Sequence, residues 1–311
     1  MVIVAIPDIP ELRQKIINCL KVRFSGCNTT VVFVRGGQGG QISLIEAWRN
    51  DPDLRNFNFV LVEDSFYGTR YIDRKIAFKR KRKTNISIFG FQPEVALIQI
   101  RSLFSGVSIP QDAHQFVVVR PLDLQFDPLG YIIHLGVTLD ERNLQLTQRN
   151  IQYLHYSDGV HEGNAEKIET LDKERVRLAE MYGATARPFS TILSEQYALP
   201  PQPSFLQMMK QTKTIYRSLS PSSMADLIGS RLIQEDVPAL LVMNCLCQQS
   251  GEPFPATKKH TENVQKILQK LDIDIGPLRK YVDEIETFRL SRREIIDRLV
   301  NPNTGLLRQV I

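Results

Sequence analysis

The chain is short of the residues that build disulfide scaffolds and metal centres. Only four of its 311 residues are cysteine, and Cys19, Cys27, Cys245 and Cys247 form no CxxC pair. That spacing excludes a disulfide framework and a zinc ribbon, and the five histidines show no zinc-ligand spacing either. No run approaches the roughly 18 apolar residues of a membrane span. The opening MVIVAIPDIP lacks a basic segment, and its apolar run is too short for a signal peptide. Internal repeats and low-complexity tracts are missing. So is a strong charge of one sign, since a formal net charge of +5 suits small anionic ligands as well as nucleic acid. A membrane-free, cytoplasmic chain with buried, reduced thiols is expected.

What is present is enough apolar residue, 42% of the chain, to bury sizeable cores, and the length favours two domains. Val2 to Ile6 is a β-branched apolar run that reads as a strand, followed by a helix carrying Leu12, Ile16 and Leu20 on one face. Thr30 to Val34 is the next strand. The glycine loop RGGQGG (Arg35 to Gly40) leads from it into a helix with Ile42, Ile45 and Trp48, and Phe59 to Val62 is a third strand ending at Glu63. Strands that are apolar throughout and alternate with helices predict a parallel sheet covered on both faces.

The loop resembles a dinucleotide-binding turn, with Glu63 placed as the ribose-binding acid, but Gly37 and Gly39 are followed by Ile42 where a third glycine belongs. A tight strand-to-helix turn lining a ligand crevice is the better reading. Lys79 to Lys83 (KRKRK) is a basic run beside the alternating strand Asn85 to Phe89 and reads as the solvated tip of a hairpin, not a nucleic-acid patch, since no aromatic residues interleave it. Pro93 to Leu103 reads as a helix and Gln115 to Val119 as the last strand.

Beyond Pro121 strand signals largely vanish. Helices are predicted over Lys167–Gly183, Ser204–Leu219, Ala239–Gln249, Lys258–Leu271, Gly276–Phe288 and Ser291–Val300. The fold class expected is an incomplete doubly wound, Rossmann-like parallel sheet in residues 1–122, followed by an all-helical domain in residues 123–311. The stretch Arg231 to Gly251 stands out, because Ala239 to Cys247 is apolar except for Asn244 and reads as a helix buried nearly all round. Asp236 precedes it by a helix-start proline, Pro238, where free N–H groups can hold an anion. Taken alone, Asp236 and Arg231 suit a capping acid with a structural ion pair about as well as an active site. His134 lies amid Ile132, Ile133, Leu135 and Val137, where a lone histidine is usually a core residue, but Asp236 could orient it as a proton shuttle. His155 and His161 flank a turn and read as surface loop residues.

These segments together resemble the opine dehydrogenases, the octopine and nopaline dehydrogenase family. The resemblance rests on VIVAIPD at the start, EDSFYGTR (Glu63 to Arg70), DPLGYIIH ending at His134, HYSDGVHEG, IETLDKERVRLAEMYG and SRLIQEDVPALLV. It implies an oxidoreductase that condenses an amino acid with a 2-oxo acid and reduces the imine with NAD(P)H, its helical part being of the 6-phosphogluconate dehydrogenase-like C-terminal kind. By resemblance, His134 is the catalytic histidine, Asp236 orients it, Arg231 fixes a substrate carboxylate with Tyr131 nearby, and Pro7, Gly36 and Gly37 line the cofactor site. Leu135, Gly136, Asp140 and Glu141 depart from the family pattern after the histidine, so the substrate pair is not implied.

VIVAIPD matches the fourth strand of the family and RGGQGG the turn after the fifth. The GxGxxG half, roughly 60 to 90 residues at about 30 per βαβ unit, is therefore expected to be missing. Val2 to Ile6 would then have an unpaired apolar flank, so a homodimer or a partner chain that supplies the missing half is expected. The alternative is a non-catalytic relic or regulatory subunit that keeps the substrate domain. A ketopantoate reductase-like enzyme of the same two-domain plan is a lesser reading.

Overall fold

A computed structural model describes the chain apart from residues 37–38, 73–74, 82, 106–114, 198, 201, 212–218 and 306–311. Among the described residues seven strands are formed: β1 (Val2–Val4), β2 (Thr29–Phe33), β3 (Phe57–Val62), β4 (Tyr67–Ile72), β5 (Lys75–Arg80), β6 (Lys83–Gly90) and β7 (Gln115–Val118). Helices α1 (Pro10–Phe24) and α2 (Gln41–Asn50) connect the first three strands, and α3 (Pro93–Ser105) follows β6. The main sheet has the order β1-β2-β3-β6-β7. Its first two pairings are parallel, with Val2 opposite Val31 and Val31 opposite Phe59.

The β3–β6 pairing departs from the parallel expectation, because β6 runs antiparallel to β3 with Val60 opposite Ile88. Among the described residues between them there is no helix to carry a right-handed crossover. This stretch forms the separate β4–β5 hairpin and returns alongside β3 in the opposite sense. The basic run Lys79 to Lys83 is corrected here as well. It joins β5 to β6, which lie in different sheets, and its centre is not solvated. Lys81 is 1% exposed and pairs with Asp64 at 2.5 Å, while Lys83 reaches Glu195 at 2.8 Å. A buried cation needs a partner, and these carboxylates supply it.

Period-two alternation divides the sheet core. Val31, Phe33, Phe57, Phe59, Leu61 and Phe89 face one side, against Trp48 and Ile45 of α2. Val32, Val60, Val62 and Ile86 face the other, against Ala96 and Ile100 of α3.

The second half is helical: α4 (Pro121–Gln125), α5 (Gly130–Thr138), α6 (Glu141–Gln148), α7 (Glu162–Met181), α8 (Phe189–Tyr197), α9 (Phe205–Gln211) and α10 (Met224–Gly229). A π-helical turn, Leu232–Asp236, then runs into α11 (Val237–Ser250), followed by α12 (Pro255–Lys270), α13 (Lys280–Thr287) and α14 (Arg292–Val300). The predicted helix Ser204–Leu219 corresponds to α9; residues 212–218 lie outside the described residues, and Leu219 is not helical but forms a β-bridge with Leu154. α11 is the buried helix that its apolar run predicts, ending at Gly251 with φ +78°, a conformation suited to glycine. Burial pushes the Cys245 and Cys247 thiols up to about 11 and about 12, so they are protonated core residues. The chain end ties both halves together: Arg298 pairs with Glu46, and the Asn303 amide donates to the Gly90 carbonyl at 3.0 Å. Among the described residues no helix is long and apolar enough to cross a membrane.

Candidate active site

Three separate stretches meet around one imidazole. α5 is apolar at nearly every position, and Ile132, Ile133, Leu135 and Val137 bury it on all sides except the one carrying His134. His134 Nδ1 lies 2.9 Å from Asp236 Oδ2, across 102 residues of sequence. His134 Nε2 lies 2.9 Å from the Tyr156 hydroxyl. The Asp236 side chain is 1% exposed and that of His134 16%, so the acid is buried and the ring faces outward at one edge.

Asp236 does not cap α11, because no backbone N–H reaches its side chain. Asp236 is the last residue of the π-helical turn, and such turns recur at functional sites. Its Oδ2 faces the imidazole, while Oδ1 is buried without a hydrogen-bond partner. Gly130, one turn before His134, makes that approach possible, since a Cβ there would overlap Asp236 Oδ1 and sit 3.2 Å from His134 Nδ1.

Sequence reasoning missed the third stretch. The segment after α6 reads as a polar surface loop, yet His155 is 4% exposed and its ring packs edge-on against Tyr156 with centroids 4.8 Å apart. Two buried amides fix this loop: Asn143 Nδ2 donates to Val137 O (2.8 Å) and Gly159 O (2.7 Å), and Asn164 Nδ2 donates to Gly159 O (2.8 Å). Buried polar side chains in the 143–164 region were the available signal. His161 is partly exposed beside Asp140.

Arg231 is exposed at the entry to the π-helical turn, and no hydrogen bond or ion pair holds it among the described residues. Tyr131 does not fit the substrate contact expected of it. It is 3% exposed within the helical core, and burial pushes its phenol well above the usual range. Pro7 is exposed just past the carboxyl end of β1.

Gly36 is a packing glycine, not part of a phosphate cradle. A Cβ there would meet Phe33 and Leu61, and its carbonyl accepts from Arg13 at 3.2 Å. Gly37 lies outside the described residues, while Gly39 packs on α11 and Gly40 on Arg13. Glu63 is unavailable to a ribose because it is 4% exposed, takes the Asn85 N–H at 2.9 Å and pairs with Arg187. Ligands of doubly wound sheets sit outside the carboxyl ends of the strands, and here the segment after β1 is tied to the residue beside Asp236.

That tie is Glu235. Its Oε1 accepts the Asp8 N–H at 3.0 Å, and Oε2 lies 3.1 Å from Arg35, the residue after Val34 with φ +67°. Asp8 in turn holds Arg13 through two contacts and accepts from Tyr281 at 2.9 Å. Burial pushes the Glu235 carboxyl up to about 7 against the pull of Arg35. Between its ordinary 4.5 and about 7 the folded chain therefore keeps a proton that the unfolded chain has released. Its contribution to stability is complete below the lower value and is lost as pH rises through the upper one. Glu235→Gln, which cannot titrate, is expected to gain melting temperature relative to the parent protein between pH 5 and pH 8. Parallel melting curves at the two pH values would rule this out.

Residues 119–268 match the family model described as NAD/NADP octopine/nopaline dehydrogenase, alpha-helical domain, and this range contains α5, Tyr156, the π-helical turn and α11. No curated protein sequence matches the chain. Among solved structures the chain is similar to apo yersinopine dehydrogenase, with a TM-score of 0.67 and 12% identity over 92% of this chain and 77% of that one. The NADP+-bound yersinopine dehydrogenase gives 0.63 and 13%, over 99% of this chain and 78% of that one. Octopine dehydrogenase with NADH and L-arginine gives 0.58 and 12%, over 91% of this chain and 80% of that one. At these identities the likeness shows a shared fold, a Rossmann-like sheet followed by a helical domain.

Proposed function

The chain belongs, through residues 119–268, to the octopine and nopaline dehydrogenase family, and from that premise we propose that it is an opine-type oxidoreductase joining an amino acid to a 2-oxo acid. The observation that carries this is the His134–Asp236 pair at 2.9 Å, buried at the acid and open at the imidazole. A carboxylate only accepts, so Asp236 holds the Nδ1 proton and leaves Nε2 as the atom at which a proton is taken up or delivered. Imine formation loses water from a carbinolamine. A proton delivered from Nε2 to the departing hydroxyl, with the nitrogen lone pair forming the C=N bond, leaves a cationic imine. NAD(P)H, when bound, supplies the hydride that converts this imine to a secondary amine.

Arg231, exposed at the entry to the π-helical turn, would hold a substrate carboxylate. Pro7 would form part of the wall on the cofactor side. Residues 1–122 would then serve the nucleotide and residues 123–311 the substrates. Gly36, Gly39 and Gly40, the described glycines of the loop, are taken up by packing, so a homodimer or a partner chain supplying the nucleotide-binding half is part of this reading. The same observation favours a non-catalytic substrate-binding subunit as the second reading.

The test combines NADH or NADPH, pyruvate as the probe oxo acid and a panel of amino acids, following nicotinamide absorbance and the mass of the product. The parent protein forms the secondary amine, and His134→Ala forms it slower by a factor on the order of 10²–10⁴. An unaffected variant removes the assignment of His134. Absence of product across the panel, with the fold intact, supports the non-catalytic subunit.

A further inference from the structure

Asp236 has little hold of its own on its surroundings. Among the described residues its carboxylate bonds only the His134 imidazole, and Oδ1 is buried without a hydrogen-bond partner. Its placement therefore depends on the backbone of the π-helical turn that carries it. Ile233 within that turn and Val237 just after it are buried in the core, but apolar packing is non-directional.

Glu235 supplies the directional contacts. It is 1% exposed, and both of its carboxylate oxygens meet the sheet half: Oε1 accepts the Asp8 N–H at 3.0 Å, and Oε2 pairs with the Arg35 guanidinium at 3.1 Å. Each partner is itself held. The Asp8 side chain bonds Arg13 of α1 and Tyr281 of α13, while Arg35 also lies 3.4 Å from Asp64, which pairs with Lys81. Arg35 has φ +67°, a conformation unfavourable to a residue with a Cβ, and such strain persists only where the surrounding contacts over-determine it. The ion pair with Glu235 is one of those contacts.

We propose that Glu235 is a positioning residue for the reaction, holding the π-helical turn so that the Asp236 carboxylate faces the His134 imidazole. This deepens the opine dehydrogenase reading and rests on it. Glu235 acts through Asp236: with the turn fixed, Oδ2 keeps the Nδ1 proton, and Nε2 stays the atom that exchanges one.

Glu235→Ala removes both contacts. Misplacing a reacting group by about an ångström costs on the order of 10² in rate, so kcat is expected to fall by that order while the KM for pyruvate stays within about threefold. Glu235→Gln keeps an acceptor for the Asp8 N–H and is expected to recover to within about tenfold of the parent rate. Ile233→Val loosens the same turn from its apolar side and is expected to lose stability while kcat stays within about twofold. Parental kcat in Glu235→Ala overturns the proposal. So does an Ile233→Val protein slowed equally, which would make general loosening of the turn sufficient. Should Glu235→Ala fail to fold, Glu235→Asp, one methylene shorter, carries the same expectation and the same refutation.

A second measurement needs no turnover. A histidine Nδ1 proton held by a carboxylate resonates far downfield, and that of His134 is assigned by its loss in His134→Ala. It is expected to shift or vanish in Glu235→Ala and to persist in Ile233→Val. A resonance unchanged by Glu235→Ala overturns the proposal. If no substrate pair turns over in the parent protein, the enzymatic reading fails by itself, and this resonance alone decides the role of Glu235.

Discussion

Gly130→Ala is expected to lower turnover by a factor on the order of 10², since misplacing reacting groups by about an ångström costs that much. A Cβ at this position overlaps Asp236 Oδ1 and lies 3.2 Å from His134 Nδ1, so the carboxylate has to move. It has little freedom to do so, being 1% exposed at the start of a helix buried along nearly its whole length. Two opposing terms set the stability change. Alanine gains about 0.5–1 kcal/mol over glycine in a helix, while overpacking a filled site costs about 1–3 kcal/mol. Overpacking is the larger, leaving a modest net loss that does not account for a hundredfold kinetic effect. Gly229→Ala, at the end of α10 where nothing lies within 4 Å of the added methyl, is the control and should leave the rate in place without loss of stability. A Gly130→Ala protein with parental kcat would show that the pair tolerates the shift and that the approach of the carboxylate is not what positions the ring.

Arg187→Met is expected to destabilise the fold by about 3–5 kcal/mol, the usual cost of stranding buried charges. The Arg187 guanidinium pairs with Glu63 at the end of β3, with Asp127 at 2.8 Å and with Glu195 at 2.6 Å. The side chains of Glu63 and Asp127 are each 3% exposed, so neither can turn to water when the cation is removed. Burial already pushes Glu63 up to about 7 with Arg187 opposing it. Without that cation the carboxyl is protonated over a wider range, which relieves part of the penalty at low pH. The loss is therefore expected to be smaller at pH 5 than at pH 8. Urea midpoints at the two pH values measure this, and a second substitution, Glu63→Gln, in the Arg187→Met background should recover part of it in a double-mutant cycle. A loss under about 1 kcal/mol at pH 8 would mean that water reaches these carboxylates.

The elements that sequence reasoning placed well are those whose signal is local. Continuous apolar runs specify β2 and β3, and the stretch from Ala239 to Cys247, nearly free of polar residues, specifies α11 whatever surrounds it. The reversed sense of β6 was not legible, because a strand pattern carries no direction, and only the absence of a helix between Val62 and Lys83 hinted at it. Lys81 was misread because the partner that buries it, Asp64, is not connected to it by pattern or spacing, and the pairing of Glu63 with Arg187, 124 residues away, was out of reach for the same reason. Tyr156 sits in a polar string that reads as solvent-facing, and the amides that draw its loop inward come from Asn143 and Asn164. His134 and Asp236 were legible as a possible pair from their residue types and apolar settings, and the resemblance tipped the reading from structural to catalytic.

Glu235 and Asp236 are adjacent in the chain, yet their carboxylates grip opposite things. One holds the backbone where the first strand ends, and the other holds the imidazole. Both residues belong to one π-helical turn, so a single peptide bond joins the hold on the segment after β1 to the hold on the proton-handling imidazole.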